Sequence, residues 1–113
     1  MGTPPPFGVY EADRDSGPRG IVYRSDNPIT DDVAIRWLQN GADVVACGPD
    51  SALNRAKARE LTVAAFGGCT PDAPHGKGGR DRALAHFHPP GRTPEVHAFF
   101  EEWPRRHASR RRA

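Results

Sequence analysis

The chain has 113 residues, of which 36% are hydrophobic, 12 are glycine and 12 are proline, and its formal net charge is +2. This length allows one domain with a small core, and the composition favours short elements joined by long loops. The sequence predicts no membrane-spanning helix, since no apolar run approaches about 18 residues. Its first residues lack the basic and apolar regions of a secretory signal peptide.

Three segments are expected along the chain. Residues 1–19 are predicted to be an irregular leader rich in proline and glycine, residues 20–103 a single α+β domain, and residues 104–113 an arginine-rich tail. The tail holds five of the 16 basic residues. A basic tail of this kind either contacts nucleic acid or is a solvated terminus, and both interpretations stay open.

The first elements of the domain are predicted from local patterns. Residues 20–24 are expected to form a short strand. Thr30 is a suitable N-cap for a helix, and Asp31 and Asp32 suit its first turn because the helix dipole favours negative charge there. Apolar residues then follow at helical spacing, and Gly41 is the expected end of the helix.

A buried strand and a second helix are expected next. Residues 43–47 form a compact apolar run that ends at Gly48. Asp50 or Ser51 is expected to cap a helix that continues to about Ala65, with an apolar stripe and charged flanks. The predicted architecture is of the α+β class: two helices packed on a small antiparallel sheet that ends in a histidine-bearing β-hairpin.

A long glycine-rich loop is predicted over residues 67–82, and a loop of this length in a small domain is often functional. It contains His75, Lys77 and Arg80. Its composition resembles that of an anion-binding loop, although it lacks the spacing and the Ser or Thr of a P-loop. A plain connector is the alternative interpretation.

Three of the five histidines fall within 12 consecutive residues. Because side chains alternate along a strand, His86 and His88 share one face. If residues 89–94 form the connection and His88 pairs with Glu95, then His86 lies opposite His97 with Cβ atoms roughly 5 Å apart. This register gathers the three imidazoles and Glu95 on one solvent-facing surface. A slip of one residue would scatter them.

The core-facing side of the same hairpin is predicted by the same alternation. Its members are Phe87, Val96 and Ala98.

One chemistry that fits this cluster is cleavage of RNA without a cofactor. One group must remove the proton of the ribose 2′-hydroxyl and another must protonate the leaving 5′-oxygen, and histidine transfers protons near neutral pH. Lys77, Arg80 or Arg92 would then stabilise the phosphorane charge. Glu95 would orient a histidine or act as a base.

Two other interpretations stay open. His86, His88 and His97 would suit a divalent metal with an open position for water, as in a cupin-like module, although cupins place a glutamate closer to the second histidine. The third interpretation is a non-catalytic module that binds nucleic acid or a protein partner. Cys47 and Cys69 lack the spacing of a metal or redox motif and are expected to be buried free thiols.

The order of motifs resembles the C-terminal toxin domains of bacterial polymorphic toxins, compact modules that end in an H-[FY]-H-P…G-R…H hairpin. The likeness covers roughly residues 27–100. The residues that carry it are, in chain order, Asn27-Pro28-Ile29-Thr30, Gly41-Ala42-Asp43-Val44-Val45, Ala56-Lys57-Ala58, His75-Gly76, His86-Phe87-His88-Pro89, Gly91-Arg92 and His97-Ala98-Phe99-Phe100.

The resemblance implies an endoribonuclease that acts in the bacterial cytoplasm and is neutralised by a dedicated immunity protein. It implies that His86, His88 and His97 are active-site residues. His75 and Arg92 are implied as helpers.

Overall fold

The computed structural model describes residues 5–14, 20–72, 84–103 and 105–110, and within them two helices pack on a seven-stranded mixed sheet. The α+β class predicted from the sequence is confirmed. The elements are β1 (Gly8–Arg14), β2 (Val22–Arg24), α1 (Asp31–Gln39), β3 (Val44–Cys47), α2 (Ser51–Phe66), β4 (Thr70–Asp72), β5 (His86–His88), β6 (Ala98–Phe100) and β7 (Ser109–Arg110). Neither described helix combines the length and the apolar character needed to cross a membrane.

The strands lie in the order β4-β5-β6-β3-β1-β2-β7. Most neighbours are antiparallel, but β3 pairs with β6, and β2 with β7, in parallel. The sheet is therefore mixed rather than antiparallel as expected. The long connection from β3 through α2, β4 and β5 lets β6 return beside β3 in the same direction.

The expected irregular leader does not hold for residues 8–14, because they form β1 in the interior of the sheet. Gly8 lies opposite Cys47 of β3, and Ala12 lies opposite Arg24 of β2. Val9 and Tyr10 are buried at 3% and 4% exposure. The sequence of this strand shows no clear alternation of apolar and polar residues because its second half is charged. Its pairing with β2 and β3 is what defines it as a strand.

Both helices begin at the caps that the sequence predicts. The Thr30 hydroxyl oxygen accepts a hydrogen bond from the N–H of Val33 at 3.2 Å. The Asp50 carboxylate accepts from Ala52 and Leu53 at 2.9 and 3.1 Å. These contacts satisfy N–H groups that have no partner inside the helix.

The two faces of the sheet have different partners. Val44 and Ala46 of β3 pack in the same cluster as Leu38 of α1 and Leu61 of α2. The core-facing prediction for the hairpin is confirmed, since Phe87, Val96 and Ala98 belong to this cluster too. On the opposite face, a second cluster contains Tyr10, Val22, Val45, Cys47, Leu84, Phe99 and Ala108, with no helical residue.

The expected separate tail is corrected for residues 105–110. Ser109 pairs with Tyr23, so the end of the described chain adds β7 to the sheet beside β2. The N–H of Ala108 donates to the carboxylate of Glu101 at 2.8 Å. The arginine-rich composition leaves a nucleic-acid contact and a solvated terminus open, whereas the backbone of this segment bonds to the folded domain.

Candidate functional site

Two adjacent strands bring the three histidines together. His86 and His88 lie on β5, and His97 directly precedes β6. The predicted register is wrong by two residues, because His86 lies opposite Phe99 rather than His97. A shift by an even number of residues leaves every side chain on its original face, so the rings still converge as predicted.

The connection between β5 and β6 is longer than the six residues expected. It spans residues 89–97 and contains a 3₁₀ turn at Pro90–Arg92. Gly91 in this turn has a φ of +70°, a conformation that glycine adopts without a steric cost. The longer turn moves the pairing along β6 and sets the observed register.

The three imidazoles are in mutual contact. Ring centroids are separated by 4.7 Å for His86 and His88, 5.0 Å for His86 and His97, and 4.9 Å for His88 and His97. The Nε2 atoms of His86 and His88 are 3.1 Å apart. One ligand nitrogen from each of the three rings lies within 4.8 Å of the other two.

The rings are buried, which corrects the expectation of a solvent-facing cluster. Exposure is 0% for His86, 3% for His88 and 4% for His97. β5 is an interior strand flanked by β4 and β6, and the ring of His97 stacks on Phe99 with centroids 5.2 Å apart. Burial of three polar rings side by side is costly unless their nitrogens find partners.

Contacts to the Nδ1 atoms assign the hydrogen on two of the rings. His86 Nδ1 lies 3.1 Å from the carbonyl oxygen of Leu84, and His97 Nδ1 lies 3.2 Å from Oδ1 of Asp43. Carbonyl and carboxylate oxygens only accept hydrogen bonds, so each Nδ1 is the donor. In a neutral ring this places the lone pair on Nε2, the atom type that binds a metal or accepts a proton.

Asp43 contacts this cluster, and the sequence did not reveal that contact. In the sequence it is only the first residue of the apolar run 43–47, whereas in the structure its Oδ1 also accepts the backbone N–H of His97 at 2.8 Å. The two residues are 54 positions apart. The sequence places Asp43 directly before a buried strand, but no local pattern indicates that His97 is its partner.

Of the remaining predicted site residues, only Glu95 has a side chain within the described part of the chain. Glu95 is exposed whereas the three histidines are buried, so it does not share a solvent-facing surface with them as expected. The turn that contains Arg92 is described, but the side chain of Arg92 lies outside the described part of the chain. His75, Lys77 and Arg80 also lie outside the described residues.

Comparison with known proteins identifies no relative of this chain. No family model matches the sequence, and searches of curated proteins and of solved structures find no match. The resemblance to polymorphic toxin domains stays a prediction.

Proposed function

We propose that His86, His88 and His97 bind a divalent transition metal ion, with Zn²⁺ as the first candidate. The observation that carries the proposal is the convergence of three ligand nitrogens within 4.8 Å. At Zn–N distances of about 2.1 Å, two ligands of a tetrahedral ion are about 3.4 Å apart. The separation of 3.1 Å between the Nε2 atoms of His86 and His88 is close to that spacing.

The contacts around the rings support the same proposal. Histidines that bind metals usually donate their second N–H to a carbonyl or carboxylate, which fixes the ring and its tautomer. Leu84 and Asp43 supply such acceptors for His86 and His97. A bound ion would also coordinate the buried nitrogen lone pairs and so offset the cost of removing these rings from water.

The ligand set favours a reactive rather than a purely structural ion. Three protein ligands with water in the fourth position are typical of catalytic zinc sites, whereas structural sites usually have four. Imidazole ligands are neutral, so they would leave the ion's positive charge in place, and that charge would lower the pKa of a water molecule bound to it. Hydrolysis is therefore the class of reaction that fits the proposed centre, and because the rings are buried the site must open to admit a substrate.

The test is metal analysis of the purified protein and three histidine variants. We expect about one ion per chain in the wild type and its loss in the alanine variants of His86, His88 and His97. His107→Ala is the matched control, because this histidine stacks on Trp103 outside the cluster. A folded wild type that is metal-free and also fails to bind added Zn²⁺ or Co²⁺ would exclude the proposal.

A second candidate is the ribonuclease predicted from the sequence, and the contact of His97 with Asp43 is the observation that favours it. A carboxylate on Nδ1–H holds an imidazole in one tautomer and stabilises the imidazolium that forms when Nε2 takes a proton. In this proposal the cluster cleaves RNA by acid–base chemistry in the bacterial cytoplasm, and an immunity protein is its partner. The burial of the rings requires the site to open for the substrate.

Total RNA incubated with and without EDTA separates the two candidates. Acid–base cleavage should be unaffected by EDTA and leave 2′,3′-cyclic phosphate ends. His86→Ala and His97→Ala should slow it by roughly 10²–10⁴-fold, the usual effect of losing a general acid or base. Cleavage that EDTA abolishes and Zn²⁺ restores would instead assign the reaction to the metal centre, and RNA left intact by the wild type would contradict the ribonuclease.

A further inference from the structure

We infer that Asp43 is a positioning residue of the metal centre, holding His97 where its Nε2 can reach the ion that His86 and His88 bind. The inference rests on the proposed metal function and adds a fourth residue to the site. The fold holds the three histidines in different ways.

His86 and His88 lie on β5, a strand that is paired on both sides. β5 pairs with β4 through His88 opposite Thr70, and with β6 through His86 opposite Phe99. His97 lies at the end of the connection that joins β5 to β6, outside either strand. Its backbone N–H donates to a side-chain carboxylate rather than to a neighbouring strand, so its position depends in part on that single contact.

Asp43 supplies two of those contacts from one oxygen. Its Oδ1 accepts the backbone N–H of His97 at 2.8 Å and lies 3.2 Å from the ring Nδ1. The first contact holds the main chain and the second holds the ring. Together they restrict both the position of the residue and its rotation, which a contact to the ring alone would not do.

Asp43 is itself anchored to the centre of the sheet. Its carbonyl oxygen accepts the N–H of Ala12 from β1 at 3.1 Å, and the next residue, Val44, donates to the carbonyl of His97 at 3.1 Å. The Asp43 side chain is 20% exposed and that of His97 is 5% exposed. The carboxylate is thus a fixed, largely desolvated acceptor rather than a mobile surface group.

The negative charge of Asp43 gives it a second effect on a bound cation. A carboxylate that accepts from Nδ1–H makes Nε2 a stronger electron donor, and loss of such outer contacts typically lowers metal affinity by about 10–100-fold. Asparagine keeps an acceptor oxygen but removes the charge, whereas alanine removes both. The two substitutions therefore separate the geometric from the electrostatic contribution.

The experiment measures Zn²⁺ affinity by chelator competition, and the visible spectrum of the Co²⁺ form, for the full chain. We expect Asp43→Ala to bind one Zn²⁺ about 10–100-fold more weakly, with an altered Co²⁺ spectrum. Asp43→Asn should have an affinity between those of Asp43→Ala and the wild type. Asp32→Asn, an exposed aspartate in the first turn of α1, is the matched control and should behave as the wild type.

Wild-type affinity and an unchanged Co²⁺ spectrum in Asp43→Asn or Asp43→Ala would overturn the inference while leaving the metal centre intact. If one variant fails to fold, the other still decides the question. A wild type that binds neither ion would overturn the metal centre, and the role of Asp43 with it.

Discussion

At the scale of single residues, the side chain of Glu101 holds together segments that are distant in sequence. It is fully buried, and its carboxylate accepts from the N–H of Gly48 at 3.2 Å, the indole N–H of Trp103 at 2.7 Å and the N–H of Ala108 at 2.8 Å. Three N–H donors from different segments thus converge on one buried carboxylate. Glu101 therefore ties β6, the end of β3 and the C-terminal segment together.

Replacing Glu101 with glutamine should destabilise the protein by about 1–3 kcal/mol, the cost of leaving a buried polar group without a suitable partner. The amide would set an N–H₂ group against one of three N–H donors. Urea denaturation followed by circular dichroism measures the effect. Glu102→Gln is the control, since Glu102 is more exposed, and equal midpoints for the two variants would contradict the role of Glu101.

Cys47 lies beside this carboxylate and agrees with the prediction of a buried free thiol. Burial first, and then the charge of Glu101, raise the pKa of the Cys47 thiol well above its usual range. Cys69 is also free but only partly buried, so the prediction holds for it in part. A protonated, buried thiol is unreactive and contributes as a small apolar side chain.

At the scale of elements, β7 shows how a charged segment becomes part of the fold. Arg110 Nε donates to Oδ1 of Asp26 at 2.7 Å. The contact lowers the pKa of Asp26, but both groups are exposed, and exposed ion pairs contribute little to stability. The buried contact of Ala108 with Glu101 is therefore the stronger anchor of this segment.

A chain that ends at Trp103 should be less stable than one that ends at Arg110 by about 1–3 kcal/mol, because the carboxylate of Glu101 loses a buried donor. β2 would also lose its outer neighbour in the sheet. Thermal unfolding of the two chains makes the comparison. Unfolding at the same temperature would show that the C-terminal segment does not stabilise the domain.

The β5–β6 pair shows which part of a strand prediction is robust. The alternation of His86, Phe87 and His88 predicts their faces correctly because it depends on neighbouring residues alone. The register depends on the length of the connection, and the turn around Gly91 is longer than the spacing of Pro89 and Pro94 suggested. The predicted faces are still correct because the register differs from the prediction by two residues, an even number.

At the scale of the whole molecule, the two faces of the sheet differ, because the helices pack on one face and the histidine cluster lies on the other. α1 and α2 cover one face through apolar contacts, and the histidine cluster lies on the face that carries Leu84 and Phe99. The helices thus stabilise the sheet without occupying the side on which the site lies. The proposed chemistry and the main core share strands but use opposite faces of them.

The amino-acid sequence by itself determined the helix caps at Thr30 and Asp50, the α+β class and the convergence of three histidines, because each depends on residues close together in the chain. Only the tertiary structure decided the interior position of β1, the burial of the histidines, and the pairing of Asp43 with His97. These features arise between segments that are distant in sequence, and no local pattern specifies which distant residues will meet.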